Sequence, residues 1–289
     1  MDNLFEIIKK GLHYNKFELD DIICVEYNCP LENEKSGICS QSDYIIHVLS
    51  GKKTWKTIYR EWTLDAGQTL YIKKGATIIN QFFEDEFCML GFFIPDDLIQ
   101  ESVLELIGKI PLQNINDGSC FTATELKPND YLNGFFQSML SYFRGTQKPP
   151  DYILKLKIKE LLVNIVCSTE NALLKSYFKS VADNSKPSLP QIMEANFCFN
   201  MKIEEFAKLC HRSLSTFKRD FYNHYHTTPG KWLRSKRLDY AANLLLNNSS
   251  GISQIAFESG FEDLSHFSRA FKNHFNMSPS DYRQNNLVS

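Results

Sequence analysis

Two stretches near the end of the chain are near-copies of each other with a single slip. They are FAKLCHRSLSTFKRDF at 206–221 and IAFESGFEDLSHFSRAF at 255–271. Ile203, Phe206 and Ala207 match Ile252, Ile255 and Ala256 at an offset of 49. Ser215, Phe217, Phe221 and Pro229 match Ser265, Phe267, Phe271 and Pro279 at an offset of 50. The extra residue therefore falls between them, in LCHRSLS of the first copy and ESGFEDLS of the second, around Gly260. A short helical unit that occurs twice, with its apolar positions in phase and its irregularity confined to one turn, leaves few architectures open.

A helix-turn-helix accounts for the pattern. Ala207 and Ala256 suit the crossing of the two helices, where only a small side chain fits, and Gly260 supplies the positive φ of a tight turn. His211 stands at that place in the first copy, which makes its turn less ideal. Asp263 is placed to cap the second helix of its unit. Phe217 with Phe221, and Phe267 with Phe271, form a buried stripe on each second helix. The opposite faces then carry Ser215, Lys218 and Arg219 in the unit at 202–226. In the unit at 251–275 they carry Leu264, Ser265, His266, Arg269 and Lys272. Arg and Lys read guanine edges, Ser and His bond base edges, and Leu meets a thymine methyl. Any one such face is equally a solvated helix surface, and two units with matching cores favour the DNA reading.

Between the units, PGKWLRSKRLDYAANLLLNN (229–248) predicts one helix with Pro229 in its first turn. About 17 helical residues span about 25 Å, enough to hold two recognition helices near the ~34 Å separation of successive major-groove faces. Lys231, Arg234, Lys236 and Arg237 cluster on it as candidate phosphate contacts. The charge distribution agrees. Residues 191–289 hold 12 Lys and Arg against 9 Asp and Glu, whereas 1–190 hold 20 against 25.

Residues 190–286 resemble the DNA-binding domain of the AraC/XylS family of bacterial transcription regulators. The resemblance is carried by KRLDYAANLLLN and ISQIAFESGFEDLSHFSRAFKNHFNMSPSDYR. It implies two helix-turn-helix units joined by a helix, both meeting one face of promoter DNA. It also implies an activator that works with RNA polymerase as a homodimer.

Residues 22–94 read as short β-strands: IICVEY, DYIIHVL, TWKTIY, TLYIKK, ATIINQFF and FCMLGFFI. Ser50-Gly51, Asp65-Ala66-Gly67 and Lys74-Gly75 break them, and an antiparallel sandwich or barrel of six to eight strands is expected. After Pro95 the period changes. Helices are expected at 96–110, 129–143 and 151–166, the last continuing through ENALLKSYFKSV, and the two at 129–143 and 151–166 are candidate dimer surfaces. ADNSKPSLP (182–190) has linker composition. The overall expectation is an α+β chain. A cupin-like barrel with dimerisation helices occupies 1–181, a linker 182–190, and an all-α double helix-turn-helix domain 191–289.

The barrel stretch YIIHVLSGKKTW…WTLDAGQTLYIKKGATIIN resembles, more weakly, the family's sensor barrel. Tyr44, Trp55, Trp62, Tyr71, Phe82 and Phe83 are candidates to line a pocket, or simply to form core. The lysine pair of YIKKGATII and the run LKIKELL resemble ExsA-type activators, which answer to a partner protein. Both a small molecule and a protein therefore stand as effectors. The rival reading is a metal-dependent cupin enzyme with a helical accessory domain. It needs three or four clustered ligands, whereas His47 stands alone in an apolar strand and Lys73 and Ile78 occupy places where a cupin carries proline and histidine. Cys24, Cys29 and Cys39 form the one loose cysteine cluster, and all eight cysteines read as reduced. No catalytic residue, metal or cofactor is expected. With no apolar run of about 18 residues and no secretory pattern at the start, a cytoplasmic protein free of the membrane is expected.

Overall fold

A computed structural model describes residues 2–12, 14–28, 35–81, 86–106, 121–183, 187–247 and 249–287. The chain divides into two compact units, Asp2–Lys186 and Pro187–Ser289.

The first unit is built on two sheets and a helical layer. Its strands are β1 (Asp2–Asn3), β2 (Asn15–Leu19), β3 (Ile22–Asn28), β4 (Lys35–Ser40), β5 (Asp43–Ser50) and β6 (Lys53–Lys56). After these come β7 (Glu61–Leu64), β8 (Thr69–Ile72), β9 (Gly75–Gln81), β10 (Cys88–Ile94) and β11 (Ala123–Glu125). One sheet has the order β1-β4-β9-β6-β7 and the other β11-β8-β5-β10-β3-β2. Every pairing is antiparallel except the short β1–β4 pair. The helices of this unit are α1 (Leu4–Lys10), α2 (Asp96–Leu104), α3 (Asp130–Arg144), α4 (Asp151–Cys167) and α5 (Ala172–Ala182).

The six-stranded sheet is apolar on both faces, and strand alternation shows how. Ile23, Val25 and Tyr27 of β3, Tyr44, Ile46 and Val48 of β5, and Met89 and Phe93 of β10 face the five-stranded sheet. There they meet Ile38, Trp55, Leu64 and Ile79. Their alternates Ile22, Cys24, Ile45, Tyr71, Leu90, Phe92 and Ile94 form a second core with the helices, against Phe135, Phe136, Leu161, Ile165 and Phe178. These strands therefore read as continuous apolar runs. The strands that sequence patterning passed over, β2, β4 and β7, carry charged or small residues, as in NKFEL, KSGICS and EWTL.

Three helical expectations are revised. Helix α2 ends at Leu104 with Glu105 as its C-cap, and 107–110 of the expected span lie outside the described residues. Helix α4 does not continue into α5, because Ser168 takes an extended ψ of 134° and its N–H closes the last turn on the Asn164 carbonyl. A further helix, α6 (Leu189–Asn196), starts inside the stretch read as linker, with Pro190 in its first turn. TWKTIY is likewise cut to β6, because Thr57 N–H bonds the Arg60 carbonyl and reverses the chain into β7.

Tyr44, Trp55, Trp62 and Tyr71 are buried. Tyr44 stacks on Phe93 at 5.3 Å, Trp55 lies against Phe87 at 6.2 Å, and Tyr71 meets Phe178 edge-on at 5.5 Å. These four are core; Phe82 and Phe83 lie outside the described residues. Asp43, fully buried at the start of β5, accepts hydrogen bonds from Tyr71 OH, from Tyr177 OH of α5 (2.7 Å) and from the Lys74 backbone N–H (2.8 Å). Of the lysine pair, Lys74 forms an ion pair with Asp96 at the start of α2, and Lys73 lies over the Tyr177 and Phe121 rings at 4.3 and 4.9 Å.

His47 is held in the second core. Its Nδ1 is 2.8 Å from Thr69 Oγ1 and its ring stacks on Phe136 at 3.9 Å and 5°. Burial lowers its pKa from 6.5 to about 4. The unfolded chain therefore binds the proton more readily than the folded one. Stability from this site is complete above about pH 6.5 and is lost as pH falls toward 4, by about 2–3 kcal/mol. Urea titrations at pH 7.5 and 4.5 should show His47→Gln narrowing that difference; an unchanged difference would exclude His47 as its source. Among the described residues no group of three or more His, Cys, Asp or Glu is placed to hold a metal ion, and Cys29 of the loose cysteine cluster lies outside them.

Candidate nucleic-acid interface

The second unit is all helical. After α6 come α7 (Ile203–Leu209), α8 (Leu214–Tyr225), α9 (Pro229–Asn247), α10 (Ile252–Glu258), α11 (Leu264–Phe275) and α12 (Pro279–Leu287). The repetition is carried into the backbone. Helices α7 and α10 have seven residues each, and α8 and α11 have twelve. The Arg212 N–H bonds the Ala207 carbonyl and the Phe261 N–H the Ala256 carbonyl, both at 3.0 Å. His211 and Gly260 take positive φ of 52° and 87° at matching places. Ser213 caps α8 through the Thr216 N–H and Asp263 caps α11 through the His266 N–H. Both second helices end on a left-handed residue, His226 and Asn276.

These matches locate the slip. Arg212 and Phe261 correspond at offset 49, and Ser213 and Asp263 at offset 50, so the inserted residue is Glu262. Gly260 is required on two counts. Its φ is +87°, and a Cβ there would stand 2.5 Å from the Cys198 carbonyl oxygen. His211 adopts the same left-handed conformation without glycine, at a local cost of about 1–2 kcal/mol.

Phe217, Phe221, Phe267 and Phe271 are completely buried, which turns the opposite faces of α8 and α11 outward. Ser215, Lys218 and Arg219 are exposed on α8, and Leu264, Ser265, His266, Arg269 and Lys272 on α11. Arg219 lies 3.5 Å from its neighbour Asp220, and its side chain is 70% exposed. Tyr222, 57% exposed, follows Lys218 by one turn on the same face and matches Lys272 at offset 50. Residue-type reasoning about base contacts passed it over, although the repeat pointed to it.

The four cations of α9 separate into three kinds. Lys231 and Arg234 are exposed. Lys236 pairs with Glu194 at 2.9 Å and lies over the Trp232 and Phe197 rings. Arg237 departs from the expected phosphate role. Its Nε, Nη1 and Nη2 donate to the carbonyls of Phe197 (2.6 Å), Gly260 (3.0 Å) and Phe199 (2.8 Å). A guanidinium committed to three backbone carbonyls is a structural clamp, and burial lowers its pKa from the ordinary arginine value. Arg234, Ser265, His266 and Arg269 meet along one cleft of about 700 Å³, with Arg237 and Glu262 in its walls. Candidate residues of α9 and α11 thus share one surface. The α8 candidates stand on the companion helix of the first copy.

A family model described as a helix-turn-helix domain matches residues 206–285, and one described as the ExsA N-terminal regulatory domain matches residues 43–177. The virulence regulon transcriptional activator VirF of Yersinia enterocolitica is 25% identical over 276 residues, covering 93% of this chain and 98% of the relative. The transcriptional regulator ExsA of Pseudomonas aeruginosa is 26% identical over 245 residues, 82% and 84% of the two chains. The chain belongs to the AraC/XylS family of transcription regulators. Among solved structures, apo ToxT of Vibrio cholerae aligns over 91% of this chain and 96% of that one, with a TM-score of 0.44 and 14% identity. The fold rests on the strands and helices above, not on that likeness. As an AraC/XylS regulator the chain is a DNA-binding transcriptional activator with an N-terminal regulatory domain. Among the described residues no helix is long and apolar enough to cross a membrane.

Proposed function

We propose that residues 191–289 read two adjacent major-groove segments on one face of promoter DNA, one with α8 and one with α11. The observation that carries the reading is the pair of like-built helices, each with a buried phenylalanine stripe and an outward face of Ser, Lys, Arg or His. Ser215, Lys218 and Arg219 contact one half-site, and Leu264, Ser265, His266 and Arg269 the other. Lys272, Lys231 and Arg234 neutralise phosphates, and because the two faces differ, so do the half-sites. Lys236 contributes charge beside its Glu194 partner, and Arg237 is removed from the contact set.

The N-terminal residues through α5 form the cupin-like regulatory part, ahead of a linker between α5 and α6. Its effector is a small molecule or a partner protein, and Tyr44, Trp55, Trp62 and Tyr71, buried in the core, serve its packing. The outward residues of α3 and α4 (Tyr131, Tyr152 and Leu156, 76%, 67% and 57% exposed) support a homodimer formed there. RNA polymerase is the partner of activation, in the cytoplasm. The test is hydroxyl-radical footprinting on duplexes that the protein selects from a randomised library. Two protected patches about 10 base pairs apart on one face are expected; one patch would overturn the tandem reading.

A further inference from the structure

The clamp on Arg237 joins the segment that leads into the first reading unit to the turn of the second. Phe197 and Phe199 lie in the segment between α6 and α7, directly ahead of the first helix-turn-helix. Gly260 is the turn of the second, and Arg237 is midway along the helix between them. One side chain therefore holds two carbonyls of the segment leading into the first copy and one in the turn of the second. Two further contacts fall on the same seam. The Cys198 carbonyl occupies the space that a Cβ on Gly260 would need. The inserted residue Glu262 accepts a hydrogen bond from the Asn200 side-chain amide.

We propose that Arg237, with Gly260 and the inserted Glu262, is a positioning latch that fixes the α11 head relative to the α8 head and so sets the half-site spacing the protein accepts. The planar guanidinium suits this task, because its donors diverge in a fixed geometry and cannot follow a shifted turn. The two copies are joined by a single helix, and a helix anchored at its ends alone leaves bending freedom between the heads. Bonds from the middle of that helix to the lead-in of one copy and the turn of the other remove it. The extra residue in the second turn is then an addition with a purpose, since it carries the carboxylate that reaches Asn200. Arg237 acts through the readers and is not among them, which agrees with its position in the wall of the cleft behind Arg234 and Arg269.

This inference rests on the tandem reading above, and the experiment separates the two. Duplexes selected by the full-length protein are remade with one base pair removed, one inserted and two inserted between the half-sites, and affinities are measured for wild type, Arg237→Gln and Asn200→Ala/Glu262→Ala. Each base pair rotates the second half-site by about 35° and moves it about 3.4 Å. Wild type is expected to lose about 30-fold or more on a one-base-pair insertion. For Arg237→Gln, cognate affinity should fall about 10-fold, insertion should cost less than about 5-fold, and binding to a duplex carrying one half-site should match wild type. If circular dichroism shows Arg237→Gln unfolded, the Asn200→Ala/Glu262→Ala protein, altered at two exposed positions, decides by the same profile, with partial relaxation expected. A folded variant with the wild-type spacing penalty overturns the latch alone. A wild-type protein indifferent to spacing overturns the tandem reading and the latch together.

Discussion

Replacing Gly260 by alanine is expected to cost the DNA-binding unit about 3–5 kcal/mol and to lower its melting temperature by about 15–25 °C. The backbone at Gly260 stands at φ +87°, which costs an L-residue about 1–2 kcal/mol before any contact is considered. The added carbon would then lie 2.5 Å from the Cys198 carbonyl oxygen and 3.0 Å from Arg237 Nε. Neither neighbour yields cheaply: the first is backbone, and the second is held by three carbonyls. Relief requires the second turn to move away from the 197–199 segment, breaking those bonds and opening the core of Leu238, Ala256, Phe261 and Phe267. Thermal unfolding followed by circular dichroism checks the result, and a melting temperature within 5 °C of wild type would show that the turn is not packed as described.

The second large effect concerns recognition and leaves the fold alone. Arg219→Ala combined with Arg269→Ala is expected to weaken binding to selected duplexes by about 10²–10³-fold, since a well-placed arginine contact to a base contributes about 1–3 kcal/mol. Both side chains are exposed, and among the described residues Arg219 pairs with its sequence neighbour Asp220 alone. The melting temperature should therefore stay close to wild type. A gel-shift titration at fixed salt measures the loss, with the salt held constant because counterion release would otherwise mask it. Undiminished specific binding by the double variant would remove both arginines from the interface.

Much of the DNA-binding unit could be read from residue spacing, because its two copies check each other. A phenylalanine recurring at offset 50 identifies a buried stripe that one copy alone leaves ambiguous. Arg237 could not be read the same way. A cation on a helix is solvated, ion-paired or clamped according to which neighbours arrive from elsewhere in the chain, and here they come from positions 197, 199 and 260. His211 shows a related limit. Its positive φ accompanies the turn closed by the Arg212 N–H on the Ala207 carbonyl, and histidine marks such a position less plainly than glycine does. In the N-terminal unit, the strands buried on both faces were the legible ones. Strands β2, β4 and β7 escaped because they are short and mix charged or small residues with their few apolar ones. The aromatic residues of that unit were visible as a set, yet whether they line a space or fill it is a matter of packing.

The six-stranded sheet of the first unit gives each of its central strands to two hydrophobic cores at once. Such a wall cannot melt on one side only. Removing the helices would lay bare Ile45, Tyr71, Leu90 and Phe92 in a row, a surface that self-associates in water. Opening the five-stranded sheet would strip the strands that the helices rest on. The sandwich and its helical layer therefore unfold in a single cooperative step, and a fragment that ends after β10 would aggregate where the intact unit stays folded.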